Sequence, residues 1–366
     1  MTVSRLRVRN YRSLVYLELP LGALTVICGE NATGKTNLYR ALLLLSRGAD
    51  GALARTLLAE GGMPSVLWAG QPSFPGTGKR RPLRVQFGIE LDGLNYELSL
   101  GLPSVDPEST PFSLDSEVKE EVVWVGHKRT RHNVLLDRGG TTAIARDANG
   151  ETAKFVTVID PFEPVLGQLG EPARFPELFD LRERLRRWRF YHHFPTEPGA
   201  PARFPRPGVR TPVLADDGHD LAAALATIED IGNGLALSDA ISDAFPGGSL
   251  RVVAERGTFS LEFELNDLRR AMQAHELSDG TLRYLYLVAA LLTPRPPELL
   301  VLNEPETSLH TNLIGPLASL ICEAARYSQV VVTTHSTGLA ERLARSSDAV
   351  QVGLVRNDDG STAVVD

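Results

Sequence analysis

The segment Gly29-Glu30-Asn31-Ala32-Thr33-Gly34-Lys35-Thr36 constrains this chain more than any other stretch, because it fills the pattern G-x-x-x-x-G-K-[ST] between two elements of different character. Residues 24–28 before it form a continuous apolar run, which fits a strand buried on both faces. After it, Leu38, Ala41, Leu42 and Leu45 recur at helical spacing to about residue 46. Strand, glycine turn and helix in that order make the first βα unit of a nucleotide-binding α/β fold. The residue types supply the chemistry. Glycines let the backbone wrap closely enough for successive N–H groups to face phosphate oxygens. Lys35 adds a point charge at the β- and γ-phosphates, and Thr36 presents a hydroxyl to Mg²⁺. The helix N-terminus beneath adds its own partial positive charge.

A second element ends in polar residues. Residues 299–302 are four apolar side chains followed by Asn303 and Glu304. A buried strand of this kind delivers its last side chains to the metal and to the attacking water. Asn303 offers a neutral carbonyl oxygen where a carboxylate would be the stronger ligand for a hard cation, and Glu304 is the candidate base. A third element, Leu277-Ser278-Asp279-Gly280-Thr281, precedes the apolar run 282–292, so Ser278 and Gly280 form a phosphate-receptive cap at a helix start.

Between these elements the periodicity changes. Residues 3–9 and 14–19 alternate as two short strands, and residues 50–78 are loop-like, with Gly and Pro clusters. From about 82 to 160, Leu83, Val85, Phe87, Ile89, Tyr96, Leu98 and Leu100 begin an alternating pattern punctuated by Asp92-Gly93 and Asn149-Gly150, which predicts an inserted antiparallel β lobe. Residues 174–188 are expected to be helical and 189–194 to form a strand. The Pro-, Gly- and Arg-rich stretch 195–213 is expected to be an ordered loop or a mobile flap. Two short helices over 218–245 and a hairpin over 250–265 follow. The expected division is 1–48 with 280–366 as the ATPase core, 49–190 as the β-rich insert, and 191–279 as a helical lobe carrying Ser278. No sustained heptad pattern is present, so coiled-coil arms are not expected.

The order of motifs resembles the ABC-type ATPase head: the glycine loop, Leu-Ser-Asp-Gly, an apolar strand ending Asn303-Glu304-Pro305-Glu306, then Thr334-His335-Ser336. The opening Arg9-Asn10-Tyr11-Arg12-Ser13-Leu14 and the run Gly34-Lys35-Thr36-Asn37 are similar to RecF, SMC and related OLD-type ATPases. The resemblance covers about residues 1–48 and 275–340. It implies an α/β P-loop NTPase head with an inserted antiparallel β lobe and a small helical lobe, binding ATP and Mg²⁺. It assigns nucleotide contacts to Gly29, Asn31, Ala32, Thr33, Gly34, Lys35, Thr36, Asn37 and Arg12, and metal contacts to Thr36 and Asn303. Catalysis would fall to Lys35, Glu304 and His335, the last touching the γ-phosphate. Ser278, Asp279 and Gly280 would act on the nucleotide held by a second copy. His310 stands where such heads carry an aspartate. No clear glutamine marks the loop after an early strand, and residues 190–195 take its place by order of elements.

The 366 residues carry 38 basic and 45 acidic side chains, a net charge of −7, so the overall balance gives no argument for nucleic acid. Local clusters exist at Lys79-Arg80-Arg81, at Lys128-Arg129-Arg131, and at Arg182, Arg184, Arg186, Arg187 and Arg189. Arg182, Arg186 and Arg189 share a helical face, which fits phosphate tracking and a salt-paired solvated helix equally. Two cysteines, Cys28 and Cys322, are too few for a disulfide framework. With no membrane-length apolar run and no signal peptide, a cytoplasmic protein is expected. The leading expectation is a slow ATPase working as an ATP-gated homodimer in DNA repair or recombination. The alternative is a regulatory ATPase of a defence or toxin-type system. About thirty residues follow His335, too few for a nuclease domain, so an effector is expected to be a separate protein.

Overall fold

The computed structural model describes residues 2–70, 83–103, 110–155, 159–346 and 348–365. The Lys79-Arg80-Arg81 cluster lies outside them. Chain contacts draw two units. One holds Met1–Gly22, Gly29–Trp188 and Val352–Asp366, and the other Ala23–Cys28 and Arg189–Gln351. The three segments expected from chain order are therefore regrouped, with the glycine loop and its helix falling beside the β-rich insert.

The first unit is built on an eight-stranded antiparallel sheet. Its order is Leu14–Pro20, Val3–Tyr11, Val85–Leu91, Leu94–Gly101, Glu117–Val125, Val134–Gly139, Thr142–Arg146 and Thr152–Phe155. The expected β insert is present, but it is continuous with the N-terminal hairpin, since Val8 stands opposite Phe87. Val3, Leu6, Val8 and Tyr11 are all at most 1% exposed; Leu6 and Val8 follow the period of two, while a register shift between Val3 and Arg5 and the left-handed Asn10 (φ 55°) interrupt it on either side. The helix Lys35–Ala49 packs with Pro176–Arg186 in this unit, and Ser46 donates to the carbonyl of Leu185 at 2.7 Å.

Residues 50–70 are not the loop expected from their composition. They form the helices Leu53–Ala59 and Met63–Val66. Each buries only two apolar side chains, too few for a period to be read, and the first has its start capped from a distance. Leu53 N and Ala54 N both donate to the Glu163 carboxylate at 3.0 Å.

The second unit contains four parallel strands in the order Arg189–Tyr191, Leu299–Asn303, Gln329–Thr334 and Leu24–Gly29, the last contributing all but its final glycine. The strand expected over 189–194 stops at Tyr191. Leu299–Asn303 and Gln329–Thr334 are buried throughout, as parallel strands covered on both faces must be. Leu221–Ile231, Gly234–Ala244, Asp279–Leu291, Ile314–Ala324 and Thr337–Ala344 supply the helices. Asp279–Leu291 is buried on every side from Leu282 onward, and Tyr286 stacks on Phe194 with ring centroids 4.5 Å apart. Residues 195–213 are an ordered segment holding a turn at Pro201–Arg203 and a short strand Arg206–Pro207, which pairs with Thr258–Leu265.

Candidate nucleotide site

In the first unit, the loop that follows Gly29 is shaped by two left-handed residues, Ala32 (φ 66°) and Gly34 (φ 99°). A Cβ at Gly34 would come 2.4 Å from the Thr362 hydroxyl, and one at Gly29 would come 2.6 Å from the Leu354 carbonyl oxygen, so neither position tolerates a side chain. Lys35 is 3% exposed, and its Nζ lies over the loop, donating to the carbonyls of Gly29 and Glu30, both at 2.7 Å. The 15-residue helix that begins at Lys35 has no acidic residue in its first turn and no side-chain cap among the described residues, which leaves its positive end for an anion. Thr36 is half-buried beside it.

The loop is braced from the C-terminus, a support invisible in the local sequence. Thr362 donates its hydroxyl proton to the Thr33 carbonyl at 2.9 Å and its N–H to the Ser13 carbonyl at 2.8 Å. Asn37, expected at the nucleotide, donates to Ser13 Oγ at 2.9 Å. Arg12, expected there too, is left-handed (φ 50°) and pairs with Glu60 at 3.0 Å, while Tyr11 donates to the same carboxylate at 2.6 Å. Asn31 and Ala32 are exposed.

In the second unit, parallel pairing aligns the strand ends. Asn303 stands beside Thr333, and Thr334 beside Cys28, the residue before the glycine loop. Asn303 is 1% exposed, and both ends of its amide are engaged. Its oxygen accepts from the Thr333 hydroxyl at 2.6 Å, and its nitrogen lies 2.6 Å from His192 Nδ1. The carbonyl oxygen expected to ligate metal is thus already an acceptor, and it reaches a cation only by sharing or exchanging that bond. His192 itself is exposed and follows directly on Arg189–Tyr191. The order of elements points to this segment, but nothing in the sequence singles out the histidine within it.

Glu304 is left-handed (φ 50°), a conformation a non-glycine residue holds only when its surroundings fix it. They do so here: its N–H donates to Thr333 O at 2.9 Å, and its carbonyl accepts from Arg283 Nη2 at 3.1 Å. The same Nη2 also donates to the His192 carbonyl at 3.2 Å. Burial lowers the Arg283 pKa, an effect the charges of Glu306 and Glu304 oppose. His335 Nδ1 lies 3.4 Å from Glu306 Oε1 and 3.7 Å from Glu304 Oε1. Glu306 has no role assigned from the sequence, yet it anchors this corner. One oxygen accepts from the Thr334 hydroxyl and from the N–H groups of His335 and Ser336, while the other is buried with no hydrogen-bond partner among the described residues.

Ser278 caps Asp279–Leu291 as expected, accepting from Thr281 N at 3.1 Å. Ser278 and Asp279 are exposed. A Cβ at Gly280 would meet the Ser308 carbonyl oxygen at 2.9 Å. Ser278, Gly280, Thr281, Ser308, His310 and Asn312 line an open cleft of about 610 Å³. His310 caps the turn that follows it, its ring nitrogen accepting from Asn312 N at 3.3 Å, a capping role an aspartate also fills.

Residues 24–341 match the family described as "AAA domain, putative AbiEii toxin, Type IV TA system". The chain belongs to this AAA family. It is a P-loop ATPase, and ATPases of this kind bind ATP and generally Mg²⁺. The fold of this AAA ATPase is that of SMC heads. An SMC head solved with the C-terminal winged-helix domain of ScpA is 14% identical, with a TM-score of 0.53, covering 100% of this chain and 98% of that one. The Pyrococcus furiosus SMC head, with an extended coiled coil and bound to the C-terminal domain of ScpA, gives 14% identity and a TM-score of 0.53, covering 100% and 96%. The Pyrococcus yayanosii SMC head with coiled coil and joint gives 12% and 0.51, covering 100% and 96%. No curated protein matches the chain in sequence.

Of the three arginines expected to share a helical face, Arg182 and Arg186 lie on the helix Pro176–Arg186 of the AAA ATPase, whereas Arg189 opens the strand Arg189–Tyr191. Arg184 pairs with Asp92 at 2.6 Å, Arg186 with Asp50 at 2.7 Å and Glu183 at 3.0 Å, and Arg182 donates to the Leu169 carbonyl at 2.5 Å. The salt-paired reading of this helix holds. In the Lys128-Arg129-Arg131 cluster, Arg129 pairs with Asp137 at 3.1 Å. Among the described residues, no helix is long and apolar enough to cross a membrane.

Proposed function

We propose that this ATPase is an ATP-gated switch in which two copies meet head to tail. The N–H groups of residues 29–36 and the Lys35 ammonium hold the β- and γ-phosphates, and Thr36, with Asn303, holds Mg²⁺. The metal, when bound, neutralises charge on the phosphates. Glu304 orients the attacking water and takes its proton, and His335 contacts the γ-phosphate. Ser278, Asp279 and Gly280 of the second copy close on the same phosphate. The observation that carries this reading is the helix start at Ser278–Gly280, where Ser278 and Asp279 are exposed. It puts a cap and its polar groups at the surface beside an open cleft, where an anion held by another molecule can reach them. Hydrolysis then separates the copies, and turnover is slow because dimer lifetime sets the signal.

The setting we favour is control of a separate effector protein in a defence or toxin-type system, acting in the cytoplasm. Its support is the family's description and the solved SMC head that carries a domain of another protein. The alternative setting, DNA repair or recombination of the RecF kind, rests mainly on the resemblance to RecF, and two of the three arginines of the face it would use, Arg182 and Arg186, are held by a carbonyl and by carboxylates.

Two variants test the mechanism. Lys35→Ala abolishes ATP binding, whereas Glu304→Gln keeps binding and traps a dimer visible by light scattering. Hydrolysis by Glu304→Gln at the parent rate would show that another group is the base. Growth arrest on expression, relieved by a partner gene, would support the effector setting, and strong stimulation of the purified ATPase by DNA would support repair.

A further inference from the structure

The segment 195–213 contributes nothing to the mechanism above, yet it holds a buried cation. Arg203, at the end of the turn Pro201–Arg203, is 6% exposed. Its Nε donates to the carbonyls of Thr196 at 2.8 Å and Glu197 at 3.1 Å, gathering its own segment. Its Nη1 reaches the carbonyls of Ala274, His275 and Leu277 at 3.5, 3.2 and 2.7 Å. Its Nη2 donates to Asp279 Oδ1 at 2.6 Å. One guanidinium therefore gathers the backbone that leads into the Ser278–Gly280 turn and the first side chain inside the helix.

Only arginine has the donor fork that such a convergence needs, because its five N–H groups lie in one plane and satisfy several acceptors at fixed angles. Three carbonyls converging without a cation would repel one another and sit partly unsolvated. On its other side the turn is limited by the Ser308 carbonyl, which leaves no room for a Cβ at Gly280. Ser278 stands between these two constraints with its hydroxyl exposed. Arg203 also offsets the charge of Asp279, whose carboxylate is 62% exposed and would otherwise oppose an approaching phosphate.

We infer that Arg203 is a positioning residue that presets the Ser278–Gly280 turn for phosphate and screens Asp279, so that the helix start receives an anion without reorganising. The inference rests on the reading of that turn as the phosphate-facing element of a dimer. It assigns segment 195–213 a function as a strap behind the turn.

The test uses the full chain carrying Glu304→Gln, with amide hydrogen exchange over residues 274–281 and ATP-dependent dimerisation measured together. Arg203→Ala is expected to speed exchange in that stretch and weaken dimerisation, each by about tenfold or more, as loss of a hydrogen bond to a charged group implies. ATP binding to the monomer, measured with a fluorescent analogue, is expected to stay within about twofold, because Lys35 and its loop are untouched. Arg203→Lys, which restores charge but not the fork, recovers part of the dimerisation and little of the protection. Asp279→Asn alters the same link at an exposed carboxylate, so it gives an answer even where Arg203→Ala misfolds, and faster exchange around Ser278 is expected there too. Unchanged exchange in Arg203→Ala, or in Asp279→Asn where Arg203→Ala does not fold, overturns the inference. A parent that never dimerises with ATP, while exchange still responds to Arg203→Ala, retires the dimer and leaves the strap standing.

Discussion

Asn303 and His192 meet at 2.6 Å across the ends of two adjacent parallel strands, and the buried amide is held on its other side by the Thr333 hydroxyl. Residue 303, for which a metal contact is proposed, is thus a neutral link between neighbouring strands. Asn303→Asp is expected to lower the Mg²⁺ concentration needed for half-maximal phosphate release by about threefold or more, because a carboxylate is a stronger ligand for a hard cation. His192→Ala removes the partner of a buried amide and is expected to cost about 1–3 kcal/mol in a denaturant melt. An unchanged Mg²⁺ titration for Asn303→Asp would place residue 303 away from the metal.

Thr362 braces the phosphate loop from the last strand. Thr362→Val keeps the shape and deletes the hydroxyl that the Thr33 carbonyl accepts from, so ATP affinity is expected to fall about fivefold, in line with one lost hydrogen bond. Nucleotide titration of the variant is the measurement. Parent-like affinity would mean that the loop holds its shape without the C-terminal hairpin.

Glu163 caps a helix whose far end, Glu60, pairs with Arg12. Glu163→Ala is expected to cost about 1 kcal/mol, the usual effect of losing a cap. It should also raise amide exchange over residues 53–60 before the rest of the unit. Uniform exchange across the unit would argue that these helices do not open separately.

Glu121 is fully buried, and desolvation raises its pKa above the ordinary carboxylate value, although the N–H groups of Val165 and Leu166 oppose the shift. The folded state therefore holds a proton that the unfolded state has released, in the window from about pH 4.3 up to the raised value. Stability from this group is full below that window and is lost as pH rises through the folded pKa. Denaturant midpoints taken between pH 5 and 8 should fall with rising pH in the parent and fall less in Glu121→Gln. Equal slopes would assign the dependence to other groups.

The motifs that name the chemistry are legible because each is local. The glycine loop, the strand before it and the helix after it are specified by neighbouring residues. So is the Ser278 cap, since its acceptor and donor are three residues apart. The β insert is legible too, through a period of two sustained over many strands. The short helices at 53–59 and 63–66 are not, because their support comes from Glu163 and from two buried side chains apiece.

What the sequence determined by itself was a glycine loop between a buried strand and a helix, an apolar strand ending in polar residues, and a serine-capped helix start, from which the roles proposed for Lys35, Thr36, Glu304 and Ser278 are drawn. Only the tertiary structure decided how those residues are held. His192 reaches Asn303 across 111 positions, Thr362 reaches Thr33 across 329, and Arg203 reaches Asp279 across 76. Such contacts depend on which strands lie side by side and which turns face each other. Backbone period and capping patterns encode neighbours along the chain, and they are silent about partners that folding alone brings within hydrogen-bond reach.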